Sequence, residues 1–186
     1  LRKLSGAIKQ SNTAVLFTPY STSSVEQAEN VAFFDHTDSV YFSSAYQAGI
    51  QYKVFGSPGP PQFAAAIDGY DELLATRFLQ VPDRLRERLA ALSGKIAGGK
   101  ARDLDRVAAV ETYLRRAYSY STFSTSADAD LEDFLFKTRS GNCEYFATAA
   151  AMLLRVSGVP TRLATGFLSE DWNEFGGFLD VRQSHA

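Results

Sequence analysis

The sequence predicts an α+β protein in which a small β-rich unit over residues 1–60 precedes a mixed region of helices and strands over residues 61–186. Three patterns carry this reading. Short runs rich in β-branched and aromatic residues fill the stretch from Thr13 to Phe55, and GSPGPP at 56–61 interrupts them. Beyond that break the apolar period lengthens to that of helices, and it returns to two after Pro160.

In the first unit TAVLFT, VAFFD and SVYFS read as strands, and IQYKVF alternates Ile50, Tyr52 and Val54 with Gln51 and Lys53. GSPGPP holds three prolines and two glycines in six positions, which excludes regular structure and predicts a linker. In the second region Leu85, Leu89, Leu92 and Ile96 share one face of a helix that stops at Gly98 and Gly99. A second amphipathic helix presents Leu104, Val107, Val110, Leu114 and Ala117, with Arg102, Asp103, Asp105, Arg106, Arg115 and Arg116 on the wet side. Residues 119–129 read as a polar loop, and Asp130 as the N-cap of a short helix carrying Leu131, Phe134 and Leu135. CEYFATAAAMLLRV, from Cys143 to Val156, is apolar all round, which predicts a buried helix capped by Asn142 and stopped at Gly158 and Pro160. TRLATGF and FLDVRQ read as strands joined by a hairpin across SEDWNEFGG.

Composition narrows the function classes. The chain has 186 residues, 45% of them hydrophobic, enough for a globular core. Nineteen basic residues against 21 acidic ones, with no block of like charge, argue against a nucleic-acid partner. No apolar segment reaches the roughly 18 residues needed to cross a bilayer, and LRKLSGAIKQ lacks the apolar core of a signal peptide, so the chain as given reads as soluble. A single cysteine excludes an intrachain disulfide.

Two apparent motifs dissolve on inspection. GKIAGGKA, residues 94–101, matches the spacing of a phosphate-binding loop, but Ala101 stands where a hydroxyl should bind Mg²⁺, and a helix precedes it where a strand should. His36, His185 and Cys143 fall at no metal-ligand spacing, and His36, in DHTD, reads as a turn residue. There is no G-x-S-x-G elbow for a serine hydrolase.

Cys143 is the informative residue. It falls in the first turn of its helix, where unpaired backbone N–H groups and the helix dipole favour a thiolate. Helix position alone leaves two readings open, a nucleophile or a small packed hydrophobe. A cysteine nucleophile needs a base from elsewhere in the chain, and His185, just after FLDVRQ, is the candidate.

RSGNCEYFATAAAMLLRVSGVPTRLATGF followed by VRQSHA resembles the transglutaminase-like superfamily, through G-x-C-E-x-F-A, Leu-Leu-Arg, G-V-P-x-R, G-F and V-R-Q-S-His. The resemblance covers about residues 70–186 and is nearest to bacterial membrane-anchored proteins with an extracytoplasmic transglutaminase-like domain. It implies a papain-like α+β core, with the cysteine on a buried helix packed against an antiparallel sheet, and a Cys-His-Asp triad. Cys143 would be the nucleophile, its backbone N–H an oxyanion donor, and His185 the general base and acid. The family's Asp lies on the strand after the histidine; Asp171 and Asp180 precede it, and the chain stops at Ala186. The expectation is a core lacking its C-terminal strands, open at a sheet edge and nearly inactive, since loss of the orienting carboxylate costs on the order of 10⁴ in rate.

The activity implied is acyl transfer: Cys143 forms a thioester with a glutamine side chain of a protein or peptide, and a primary amine accepts the acyl group. A cysteine peptidase or amidase hydrolysing the same thioester is the alternative, and a non-catalytic interaction domain on this scaffold is a third reading. No cofactor is implied, because the nucleophile is a side chain. Trp172 and Phe175, between the two expected strands, could line an acyl-donor groove or pack as a hairpin tip on their own domain. An extracytoplasmic location and a membrane-anchored parent follow from the resemblance.

Overall fold

A computed structural model of the chain describes residues 2–8, 15–19, 22–26, 32–34, 40–42, 50–56, 76–122, 130–167, 171–176 and 178–179. The chain divides into two compact units, Leu1–Ala66 and Ile67–His185.

The first unit holds two three-stranded antiparallel sheets. β1 (Arg2–Ile8) and β3 (Thr22–Glu26) flank β6 (Ile50–Gly56), while β2 (Val15–Leu16) and β4 (Ala32–Phe34) flank β5 (Val40–Phe42). The alternation read in IQYKVF holds at Tyr52 and Val54, which point inward and join Leu16 and Val40 in the core, with Val25 against them. The Tyr52 hydroxyl donates to the Phe17 carbonyl, which satisfies a polar tip on an otherwise apolar ring. β1 and β3 are strands that the sequence does not announce. RKLSGAI and TSSVE are too polar and too small to signal a strand, and β6 organises both by offering a hydrogen-bonding edge on either side. The linker expected over 56–61 lies, beyond Gly56, outside the described residues.

In the second unit α1 spans Asp83–Ala97 and buries Leu85, Leu89, Ser93 and Ala97, with Leu92 and Ile96 at the margin of the same core. Buried Ser93 is compatible with that stripe because its Oγ donates to the Leu153 carbonyl at 2.9 Å. GKIAGGKA forms the end of α1 and the turn that follows, where Gly99 takes φ +79°, a conformation a side chain disfavours. α2 (Asp103–Ala117) buries Val110 and Leu114, but Leu104 is 60% exposed. The expected apolar face is therefore covered only in its second half. The first half is tied down by charge instead: Arg106 donates to the carbonyls of Lys100 at 3.0 Å and Ser157 at 3.2 Å and pairs with Asp103.

Asp130 caps α3 (Leu131–Asp133) as its position predicts, accepting from the Asp133 N–H at 3.0 Å. The helix then widens into a π-helical segment, Phe134–Thr138, which ends at Arg139 in the left-handed region with φ 52°. The Asp130 carboxyl is held below the usual carboxylate range, first by that cap bond and then by Arg84. A carboxylate so shifted adds stability that is present above its unfolded value, near pH 3.9, and is lost as pH falls through the lower folded one. Asp130→Ala should therefore lower stability at neutral pH and flatten the loss of stability below about pH 4, as urea titrations across that range would show.

α4 (Cys143–Val156) is the central helix, packed against α1, α2 and α3 around Val81, Leu85, Leu89, Val110, Leu114, Phe134, Leu135, Leu153 and Leu154. It stops at Val156, and Gly158, φ +86°, turns the chain away just beyond the C-cap, as expected. The next segment differs from expectation. Residues 161–167 form no strand; the strand expected over FLDVRQ begins as expected with β10 (Phe178–Leu179), but its hairpin partner is β9 (Trp172–Asn173), inside the stretch read as a turn. Alternation by itself cannot make a strand, since a strand also needs a neighbour's backbone groups, and none of the described ladders reaches 161–167.

What anchors that segment is Arg155, whose Nε donates to the Thr161 carbonyl at 2.8 Å and whose Nη1 donates to that of Gln80 at 3.0 Å. The Thr161 N–H in turn donates to the Phe78 carbonyl. Lysine cannot present two donors in this fixed fork. Arg155→Lys is expected to destabilise by about 2 kcal/mol, measured by chemical denaturation, with the charge retained.

Candidate active site

The chain reaches Cys143 along a short, tightly held path. Tyr118 closes α2 and is buried, its hydroxyl donating to the Leu135 carbonyl at 2.8 Å. Burial pushes that hydroxyl above the ordinary tyrosine range. The first residues of the expected polar loop are in fact β7 (Ser119–Tyr120), running parallel to β8 (Ser140–Gly141). The Ser119 N–H donates to the Arg139 carbonyl at 2.8 Å and the Ser121 N–H to that of Gly141 at 2.9 Å. Left-handed Arg139 turns the chain out of the π-helical segment and into β8, two residues before the cap.

Asn142 then starts α4. Its Oδ1 accepts from the N–H groups of Glu144 at 3.1 Å and Tyr145 at 3.4 Å, and its carbonyl accepts from Phe146 at 3.2 Å. The first amides of a helix have no intrahelical acceptor, and these three bonds account for those of residues 144–146. The Cys143 N–H is not among the donors to this cap. It stands next to the thiol with the positive end of the helix behind it.

Cys143 is exposed. The expectation of a helix buried along its length holds only from Ala149 onward, where Ala149, Ala151, Leu153 and Leu154 are buried. Its first turn emerges from the core, because aromatic rings beneath it lift the backbone to the surface. Phe134, 2% exposed, lies 4.9 Å from Tyr118, 5.2 Å from Phe146 and 5.5 Å from Tyr145, centroid to centroid. The sequence puts Phe134 on the short helix after Asp130 and does not show that it packs against Tyr145 and Phe146 in the first turn of α4. The signal available was its position in the capped helix just before G-N-C.

Of the two expected catalytic side chains, the structure describes Cys143; His185 lies outside the described residues, as do His36 and Asp180. Asp171 is exposed at the start of the hairpin. Trp172 is 60% exposed and Phe175 fully so, so neither ring is buried in a core of the described residues. Among the described residues no group of three or more His, Cys, Asp or Glu could hold a metal ion, and no helix is long and apolar enough to cross a membrane.

The family model of the transglutaminase-like superfamily matches residues 90–186, over half of the chain, including the capped helix of Cys143. The chain belongs to the transglutaminase-like superfamily. Within the superfamily it is 29% identical over 164 residues to a protein-glutamine gamma-glutamyltransferase of Pseudomonas aeruginosa, covering 86% of this chain and 25% of that protein. It is also 37% identical over 105 residues to the uncharacterized protein YebA of Bacillus subtilis, covering 54% of this chain and 14% of YebA. The chain thus spans a quarter or less of the length of either relative. Among solved structures, the periplasmic domain of TgpA from Pseudomonas aeruginosa superposes with a TM-score of 0.80 at 25% identity, covering 99% of this chain and 62% of that one. A candidate cysteine protease from Cytophaga hutchinsonii matches at TM-score 0.51 and 16% identity, a likeness of fold alone. Together they bear out the α+β transglutaminase-like core with papain-like relatives.

Proposed function

We propose that this chain is the core of a thiol acyltransferase acting on protein-bound glutamine. The observation that carries the reading is the exposed first-turn Cys143, capped by Asn142, in a superfamily member related to a protein-glutamine gamma-glutamyltransferase. His185 takes the proton of the Cys143 thiol, Sγ attacks the glutamine carboxamide carbon, and the oxygen takes negative charge opposite the Cys143 N–H. Collapse of that intermediate breaks the C–N bond. Ammonia leaves with a proton supplied by His185, and a thioester remains. A primary amine then attacks the thioester, His185 takes its proton, and the free thiol returns with a new amide as product. No cofactor enters, and nucleic acid is not a partner.

The division into a β unit over 1–60 and a core over 61–186 belongs to the same proposal. So does location: likeness to a periplasmic domain supports an extracytoplasmic domain, and the membrane-anchored parent rests on the resemblance alone.

The test is incorporation of a labelled primary amine into a glutamine-containing peptide by the parent protein and by its Cys143→Ala variant. Cysteine-dependent incorporation supports transfer. Because Cys143 is open to water, hydrolysis is the competing fate of the thioester, and deamidated peptide without incorporated amine would replace transfer with amidase action. Neither product would leave the non-catalytic scaffold as the function.

A further inference from the structure

Gly141 is buried, yet the exposed Cys143 stands only two residues further on. The chain climbs from core to surface across Asn142 alone. Gly141 has no need of glycine for its dihedral angles, since the positive-φ glycines among the described residues are Gly99 and Gly158. Its requirement is space. A Cβ at this position would stand 3.0 Å from Phe134 Cδ2, 3.0 Å from Tyr145 Cδ2 and 3.1 Å from Tyr145 Cβ.

None of these neighbours yields cheaply. Phe134 is held on three sides by Tyr118, Tyr145 and Phe146. Tyr145 Cβ is bonded directly to the α4 backbone, so turning the ring does not move it. Nor can Gly141 retreat, because β7 holds its carbonyl through the Ser121 N–H and its strand register through Tyr120. A methyl group here would be absorbed by the first turn of α4, where the Asn142 bond to the Tyr145 N–H is already 3.4 Å.

We infer that Gly141 is a positioning residue for Cys143: its missing side chain lets β8 close against Tyr145 and so sets where the first turn of α4, and the thiol on it, stands. The inference rests on Cys143 being the nucleophile of the proposed reaction. Misplacement of a reacting group by about 1 Å can cost on the order of 10²-fold in rate while substrate binding survives.

The experiment compares Gly141→Ala, Tyr145→Ala and the double variant, in the parent protein for turnover and in this chain for spectra, with Gly94→Ala as control. Gly94 has nothing within 4 Å of its added Cβ and lies away from the site on α1. Two readouts are taken: kcat and KM for amine incorporation, and the backbone amide shifts of Cys143 and Glu144 by nuclear magnetic resonance. Gly141→Ala should lower kcat on the order of 10²-fold with KM little changed and move both amides. The same change made in the Tyr145→Ala background should cost less, because the nearest ring atom of Tyr145 is gone.

Unchanged kcat with unmoved amides in Gly141→Ala, or losses that simply add in the double variant, would overturn the inference. So would a loss of folded protein whose remaining folded fraction turns over at the wild-type rate. If Gly141→Ala alone does not fold, recovery of folding in the double variant supports the contact as the cause, and continued failure rejects it. If the wild-type parent transfers no amine, the acyl-transfer reading falls separately, and the amide shifts of this chain decide the positioning role.

Discussion

Replacing Cys143 by alanine is expected to reduce amine incorporation to the uncatalysed background while leaving the fold intact. Both halves of that expectation follow from the structure. The thiol is exposed, so its removal opens no cavity, and the unfolding free energy should move by no more than about 0.5 kcal/mol. The chemistry has no substitute, because the chain contains a single cysteine and loss of a nucleophile costs several orders of magnitude in rate. Wild-type incorporation rates in Cys143→Ala would end the proposal that this cysteine is the nucleophile.

The largest effect on stability is expected from Phe134→Ala, a loss of about 3–5 kcal/mol. Phe134 is 2% exposed and packs against three other rings, so truncation leaves a void that rigid neighbours cannot collapse into. Domains are typically stable by only about 5–15 kcal/mol, so the loss is a large fraction of the whole. Chemical denaturation gives the measurement. Phe134→Leu should recover part of the loss by refilling some of the volume. A change below about 1 kcal/mol for Phe134→Ala would mean that the ring cluster does not support the first turn of α4.

Helix α1, the Asn142 cap, the Asp130 cap and the stop at Gly158 were all legible along the chain, because each depends on residues within a few positions of one another. Failures of the reading fall where partners are distant. β1 exists because β6 has an open edge some fifty residues away in sequence, and TRLATGF alternates like a strand without meeting a described ladder. Leu104 repeats with the apolar face of α2 yet remains in solvent, since amphipathic spacing says which residues share a face and not how far a neighbour extends along it. Likewise, an all-apolar helix implied burial throughout, and only packing on Phe134 shows that its first turn surfaces.

By itself the sequence determined that Cys143 begins a helix, because Asn142, Gly158 and Pro160 mark the ends locally, and its motifs identified the superfamily. Tertiary structure decided that the thiol faces solvent, that a π-helical turn and a parallel two-strand ladder deliver the chain to it, and that Gly141 leaves room for Tyr145. Caps and periods are written in neighbouring residues, whereas exposure and close approach depend on rings and strands contributed from elsewhere in the chain.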